Sequence, residues 1–156
     1  MNVRVSGGVL KGRRLHPVKG VNLRPTSEKV RAALFSVLTQ GIASCDRVLD
    51  LYAGTGVLGI EALSRGAEWV DFVEMDYKLA RRIRENLEDF SLADNGCVYT
   101  AKVEKVLSNL PGGYDVVFSD PPYNMVDVEH MMKKLSQNLI VNREGVVILE
   151  HRCDTT

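Results

Sequence analysis

The chain has 156 residues, 45% of them hydrophobic, and a formal net charge of zero, enough for one domain around a single buried core. No run of 18 apolar residues could span a bilayer, and the start, Met-Asn-Val-Arg-Val-Ser-Gly-Gly, has none of the apolar stretch of a secretory signal. A soluble, cytoplasmic protein is the expectation. Cys45, Cys97 and Cys153 are odd in number and far apart, which points to reduced thiols rather than to a disulfide framework or a zinc site.

The neutral total hides an uneven distribution. Residues 1 to 31 carry eight basic side chains (Arg4, Lys11, Arg13, Arg14, Lys19, Arg24, Lys29, Arg31) against the single acid Glu28, a net +7, so the remainder carries −7. A basic arm on an acidic body suits a phosphate backbone, because the arm neutralises phosphates while the body repels stray polyanions. A solvated basic loop would have the same composition.

In chain order, the first 20 residues read as a small hairpin appendage: Val3 and Val5 alternate with polar neighbours, Gly7-Gly8 turns, and Arg13 to His16 returns toward Pro17. This divides the chain into a basic arm over residues 1–24 and a main domain over 25–156. Pro25-Thr26-Ser27-Glu28 starts a helix with Thr26 or Ser27 as cap, and Val30, Leu34, Val37 and Leu38 follow at helical spacing. From Arg47 onward short apolar runs alternate with helical patterns. Strands are expected near Val48 to Tyr52, Val70 to Glu74, Val98 to Ala101, Asp115 to Ser119 and Val146 to Glu150. Helices are expected near Val57 to Ser64, Lys78 to Phe90, Val103 to Leu110 and Val128 to Leu139, the last with Val128, Met131, Met132, Leu135 and Leu139 facing inward. The pattern specifies an α/β fold with a doubly wound, mainly parallel sheet, whose ligands bind at the carboxyl ends of the strands.

Two motifs stand at those ends. Asp50 to Gly59 runs out of the first strand through Gly54-Thr55-Gly56-Val57-Leu58-Gly59, a G-x-G-x-x-G turn that lets a ligand approach the backbone at a helix N-terminus. Glu74 ends the second strand 20 residues after Gly54, placed to accept from ribose hydroxyls. That spacing also fits a dinucleotide, but Asp50 at the strand end would repel a pyrophosphate and attract a cationic ligand such as S-adenosylmethionine. The second motif, Asp120-Pro121-Pro122-Tyr123, follows the fourth strand. Its prolines leave carbonyls without strand partners, Asp120 adds a carboxylate, and Tyr123 adds a stacking ring. Such a set holds a flat ring bearing an amino group, and acceptors on that amine turn its lone pair toward a methyl donor.

These motifs, with Gly12-Arg13-Arg14-Leu15, Arg24-Pro25-Thr26-Ser27, Arg31-Ala32-Ala33-Leu34-Phe35, Gly59 to Ala67 and Val146 to His151, resemble the bacterial 16S ribosomal RNA guanine-N2-methyltransferase family, of class I Rossmann-like fold. The resemblance implies that Asp50, Ala53, Gly54 and Gly56 hold the methionine part of S-adenosylmethionine and Glu74 its ribose. It further implies that Asp120, Pro121, Pro122 and Tyr123 engage the guanine, that Arg24 and Thr26 line the cleft mouth, and that Arg13 and Arg14 touch RNA. The family has Gly-Asp after the third strand to bind adenine; here Val103-Glu104 stands there, and Glu104 can still accept from the adenine amine. The family's fold continues with two further strands that are expected to be missing here, which would leave Val146 to Glu150 as an apolar sheet edge. Three other readings stay open: an adenine-N6 methyltransferase, an NAD-dependent oxidoreductase and a non-catalytic RNA-binding homologue. The partner expected is 16S ribosomal RNA, alone or within an assembling small subunit.

Overall fold

A computed structural model of the chain describes residues 3–18, 27–42, 47–120, 128–137 and 140–149. Five strands, β1 (Arg47–Leu51), β2 (Trp69–Glu74), β3 (Gly96–Thr100), β4 (Tyr114–Ser119) and β5 (Val141–Leu149), form one sheet in the order β3-β2-β1-β4-β5. Every neighbouring pair is parallel. Central strands of such a sheet are buried on both faces, and β1 is buried from Val48 through Leu51.

The two faces carry separate apolar clusters, which is what double winding means physically. On one side Val48, Val70, Phe72, Val116 and Phe118 meet α1 (Glu28–Ile42), α2 (Val57–Ser64) and α3 (Tyr77–Asp89) through Phe35, Ile60, Leu63, Ile83 and Leu87. On the other, Leu49, Leu51, Val73 and Val117 meet α4 (Val103–Val106) and α5 (Val128–Gln137) through Val103, Val106 and Leu135. Gly59, the third glycine of the turn motif, allows α2 to lie close on the sheet: a Cβ there would fall 2.3 Å from the Phe72 ring. At the amino ends of the strands, buried Asp71 accepts from Trp69 Nε1 at 2.8 Å and from the Tyr114 hydroxyl.

Several sequence expectations shift. The fourth helix is one turn long and tightens into a 3-10 turn over Leu107–Asn109, short of the Pro-Gly-Gly at 111–113 that leads into β4. The fifth strand begins at Val141, five residues early, because residues 142–145 bulge out between the pairs Tyr114–Val141 and Val116–Val146. Gly145 permits this, since a Cβ there would fall 2.5 Å from Val141 Cγ1. Among the described residues β5 is an edge of the sheet, and Val146 on it is 44% exposed.

In α1 the cap is Ser27, whose hydroxyl accepts from Val30 N at 3.2 Å, and the inward face differs from the expected one. Arg31 and Phe35 are buried with Leu34 and Leu38 partly so, whereas Val30 and Val37 lie 56% and 85% exposed. An inward arginine with its own acid won over two valines. In α5 Leu135 is buried but Met132 is 42% exposed, so that methionine is not core; Leu139 and the side chains of Val128 and Met131 lie outside the described residues. Cys97 is a free thiol; Cys45 and Cys153 lie outside the described residues. Among the described residues no helix is long and apolar enough to cross a membrane and no cluster of potential metal ligands occurs.

The N-terminal hairpin is joined to the body. Val5 N donates to Arg13 O, Leu15 N to Val3 O, and Arg4 and Arg14 form an antiparallel bridge. Val5, Leu10 and Leu15 are buried in the same cluster as α2.

Candidate active site

The sheet order reverses between β1 and β4, and Leu51 pairs with Ser119, so the residues after each leave the sheet side by side. This is the switch point at which open α/β sheets bind ligands. After β1 the backbone enters the left-handed region at Tyr52 (φ 55°), Gly54 (φ 59°) and Gly56 (φ 78°). Glycine takes that conformation freely, but a tyrosine there is strained and must be held by its surroundings. Ala53 N donates to Val73 O at 3.0 Å and Gly56 N to Ala53 O at 2.8 Å, so the turn is anchored to β2 and closed on itself. A Cβ on Gly56 would fall 2.9 Å from Ile83, which leaves no room for another residue.

Three acids are tied to this turn. Asp50, buried at the end of β1, accepts from Gly59 N at 3.1 Å and so caps the first turn of α2 from below. Glu74 accepts from Gly54 N at 2.8 Å with one oxygen and from Asp76 N at 2.7 Å with the other. Glu104 accepts from the Tyr52 hydroxyl at 3.4 Å, and burial together with Glu104 pushes that phenol up to about 12. Asp76 in turn caps α3 by accepting from Leu79 N at 3.1 Å.

Burial pushes the Asp50 carboxyl up to about 8; the Gly59 amide opposes this, while the charges of Glu74 and Asp120 add to it. The acids at the ends of β1, β2 and β4 therefore lie close enough at the switch point to act on one another electrostatically. A cationic ligand relieves that repulsion, and an anionic pyrophosphate would increase it. The chemistry of the set fits a ligand with an ammonium and a sulfonium better than a dinucleotide.

Asp50, Ala53, Gly54, Gly56, Glu74 and Glu104 thus gather around one turn, with Asp120 exposed at the neighbouring strand end. Pro121, Pro122 and Tyr123, and likewise Arg24 and Thr26, lie outside the described residues. Arg13 and Arg14 are separated by the alternation of the hairpin. Both are exposed, but the Arg13 guanidinium lies 4.9 Å from the centre of the Phe90 ring, whereas Arg14 pairs through its backbone with Arg4. Arg4 is paired with Glu28 at 3.0 Å.

Sequence reasoning gave no role to Glu61. It is fully buried in α2, accepts from Ser6 N at 2.8 Å and Gly7 N at 2.9 Å, and lies 2.9 Å from Arg65 Nε and 3.6 Å from Arg31. The signal was present: one acid inside Val57–Ser64, an otherwise apolar helix, has to be paired when buried.

A family model described as Conserved hypothetical protein 95 matches residues 3–156. The chain is 32% identical to the Ribosomal RNA small subunit methyltransferase D of Escherichia coli strain K12, over 95% of this chain and 74% of that one. It is 32% identical to the Haemophilus influenzae protein of the same name, over 97% and 80%. Among solved structures it is similar to a hypothetical protein of Thermus thermophilus, with a TM-score of 0.80 and 31% identity over 94% of this chain and 84% of that one. With the SAH-bound Podospora anserina methyltransferase PaMTH1 it shares the fold alone, at a TM-score of 0.70 and 15% identity over 81% and 53%. The chain therefore belongs to the Conserved hypothetical protein 95 family, in company with the small-subunit ribosomal RNA methyltransferases D.

Proposed function

We propose that this protein transfers the methyl group of S-adenosylmethionine to the exocyclic N2 amine of a guanine in 16S ribosomal RNA. The observation that carries the reading is that Glu74 and Asp50 accept from the amides of Gly54 and Gly59 around a left-handed glycine turn at the β1/β4 switch point, with Asp120 at the neighbouring strand end. The ribosomal substrate comes from the relatives' names, and the guanine amine from the Asp120-Pro121-Pro122-Tyr123 motif.

In this reading Asp50, Ala53, Gly54 and Gly56 hold the methionine end of the cofactor, Glu74 the ribose and Glu104 the adenine amine. Each carboxylate oxygen of Glu74 keeps a second lone pair beyond the backbone amide it already accepts. The cofactor supplies an electrophilic methyl on a positively charged sulfur. Asp120 accepts from the target amine and turns its lone pair toward the methyl, and Tyr123 stacks on the base. As the amine is methylated its nitrogen would shed a proton, which Asp120 would take up. Residues 1–24 serve as the RNA arm and residues 25–156 as the catalytic domain, with Arg14, Arg24 and Thr26 toward the RNA. Arg13 joins them through the edge of a guanidinium whose face rests on Phe90.

The test is transfer of label from S-adenosylmethionine to small-subunit RNA, naked and with its proteins bound, followed by nucleoside analysis. N2-methylguanosine is the expected product in the cytoplasmic ribosomal RNA. Label on adenine N6 would replace the base assignment, and RNA binding without transfer would leave only the binding arm.

A further inference from the structure

The hairpin and the glycine turn are held by opposite ends of the same short helix. α2 is capped by Gly56, a glycine of the turn, and its C-terminal half grips the hairpin. Glu61 accepts from the amides of Ser6 and Gly7. Ser64 Oγ accepts from Leu10 N at 2.9 Å and donates to Gly7 O at 2.6 Å, and Ser64 O accepts from Val9 N at 2.9 Å. Arg31 closes the joint from α1, donating to Arg4 O at 3.0 and 2.7 Å while facing Glu61, and Arg65 donates to Ser6 Oγ at 3.1 Å. The glycines at the hairpin tip make the approach possible, since a Cβ at Gly8 would fall 2.0 Å from Ser64 O.

A joint needed only to cover apolar surface would not bury an acid and bind it to two backbone amides and two guanidiniums. Hydrogen bonds to backbone fix the position of the chain itself, and four of those above converge on Glu61 and Ser64 side chains. The same helix is pinned at its other end by Asp50, through Gly59 N.

We propose that Glu61, assisted by Ser64, is a positioning residue that sets the RNA arm at a fixed place relative to the methyl donor. The inference rests on the proposed RNA methyl transfer. RNA held by the outward face of the hairpin is thereby registered to the helix that begins at the cofactor turn, and the target amine reaches the methyl in line. A misplacement of about 1 Å can cost on the order of 100-fold in rate, whereas affinity set by charge is little altered by a loosened joint.

The experiment compares wild type, Glu61→Gln and Ser64→Ala as full chains. Cofactor affinity is read by calorimetry, RNA affinity and its salt slope by filter binding, and the single-turnover rate with both substrates saturating. Hydrogen exchange is followed at the hairpin amides and at Gly54 to Leu58. The expected result is faster exchange at Ser6 to Leu10 with the turn unchanged, both affinities within about threefold, and a saturated rate lowered about tenfold or more. An unchanged rate with a loosened hairpin overturns the proposal, as does a hairpin that stays protected, or a cofactor affinity that falls with the rate. If Glu61→Gln does not fold because Arg31 is left buried without its acid, Ser64→Ala decides, since it leaves that ion pair intact. A wild type that transfers label to no RNA removes the proposed function and this inference with it; an active wild type beside an equally active variant removes this inference alone.

Discussion

Glu74 accepts from the Gly54 amide at 2.8 Å, so the acid at the end of β2 holds the turn at the end of β1. In the proposed function the same carboxylate accepts from the ribose hydroxyls of the cofactor. Glu74→Ala is expected to weaken S-adenosylmethionine binding by about 1.5 to 3 kcal/mol, the usual worth of hydrogen bonds to a charged group. It should also destabilise the fold by about 1 kcal/mol or more, because the Gly54 and Asp76 amides lose their acceptor. Calorimetry and a denaturant titration separate the two effects. Unchanged affinity with lowered stability would assign the acid to the turn alone.

With Asp50 against the cofactor's ammonium, as proposed, cofactor binding is expected to depend on pH. The Asp50 carboxyl is raised from an ordinary 3.8 to about 8, burial being the main cause, so the unbound folded protein carries this proton at pH 7. An ammonium placed against it favours the charged form, and binding at pH 7 should release up to about one proton. Affinity is expected to rise from pH 6 and to level near pH 8, where the carboxyl ionises without help. For the fold the sign is opposite. The contribution of this raised carboxyl to stability is complete below its unfolded value of 3.8 and is lost as the pH rises through about 8. Asp50→Asn should lose the proton release and resist alkaline destabilisation better than wild type. Calorimetry in buffers of different ionisation enthalpy measures the release, and none at pH 7 would mean that no cation approaches Asp50.

Asp120→Ala should leave cofactor affinity within a few-fold and lower turnover by about two or more orders of magnitude, the scale of losing one group that acts in the transition state. Single-turnover transfer to RNA gives the rate. Near-normal turnover would take Asp120 out of the mechanism.

Arg13 and Arg14, although adjacent, should respond differently to alanine. Arg14→Ala is expected to weaken RNA binding and reduce the log–log salt slope by roughly 0.7 to 0.9, the loss of one phosphate contact, with stability unchanged. Arg13→Ala also removes the cover over Phe90 and should cost about 0.5 to 1 kcal/mol of stability. Cofactor binding should not respond to either. An unaltered salt slope in both variants would make the arm a solvated basic loop.

The sequence by itself determined the alternation of strands and helices, the glycine turn after β1, and the placement of Asp50, Glu74 and Asp120 at strand ends. Those features are local: side-chain period, turn chemistry and the ends of apolar runs are set by neighbours within a few residues. Only the tertiary structure decided which face of α1 turns inward, why Glu61 stands in an apolar stretch, and which of Arg13 and Arg14 packs on an aromatic ring. Each depends on partners distant in the chain: Glu61 meets Ser6, 55 residues away, and Arg13 meets Phe90. The raised Asp50 carboxyl belongs with these, since it needs both burial between the sheet and α2 and the charges that β2 and β4 bring alongside. A charge count treats every arginine of the arm alike, but the fold engages Arg31 and Arg4 with acids of the protein itself and leaves Arg14 exposed.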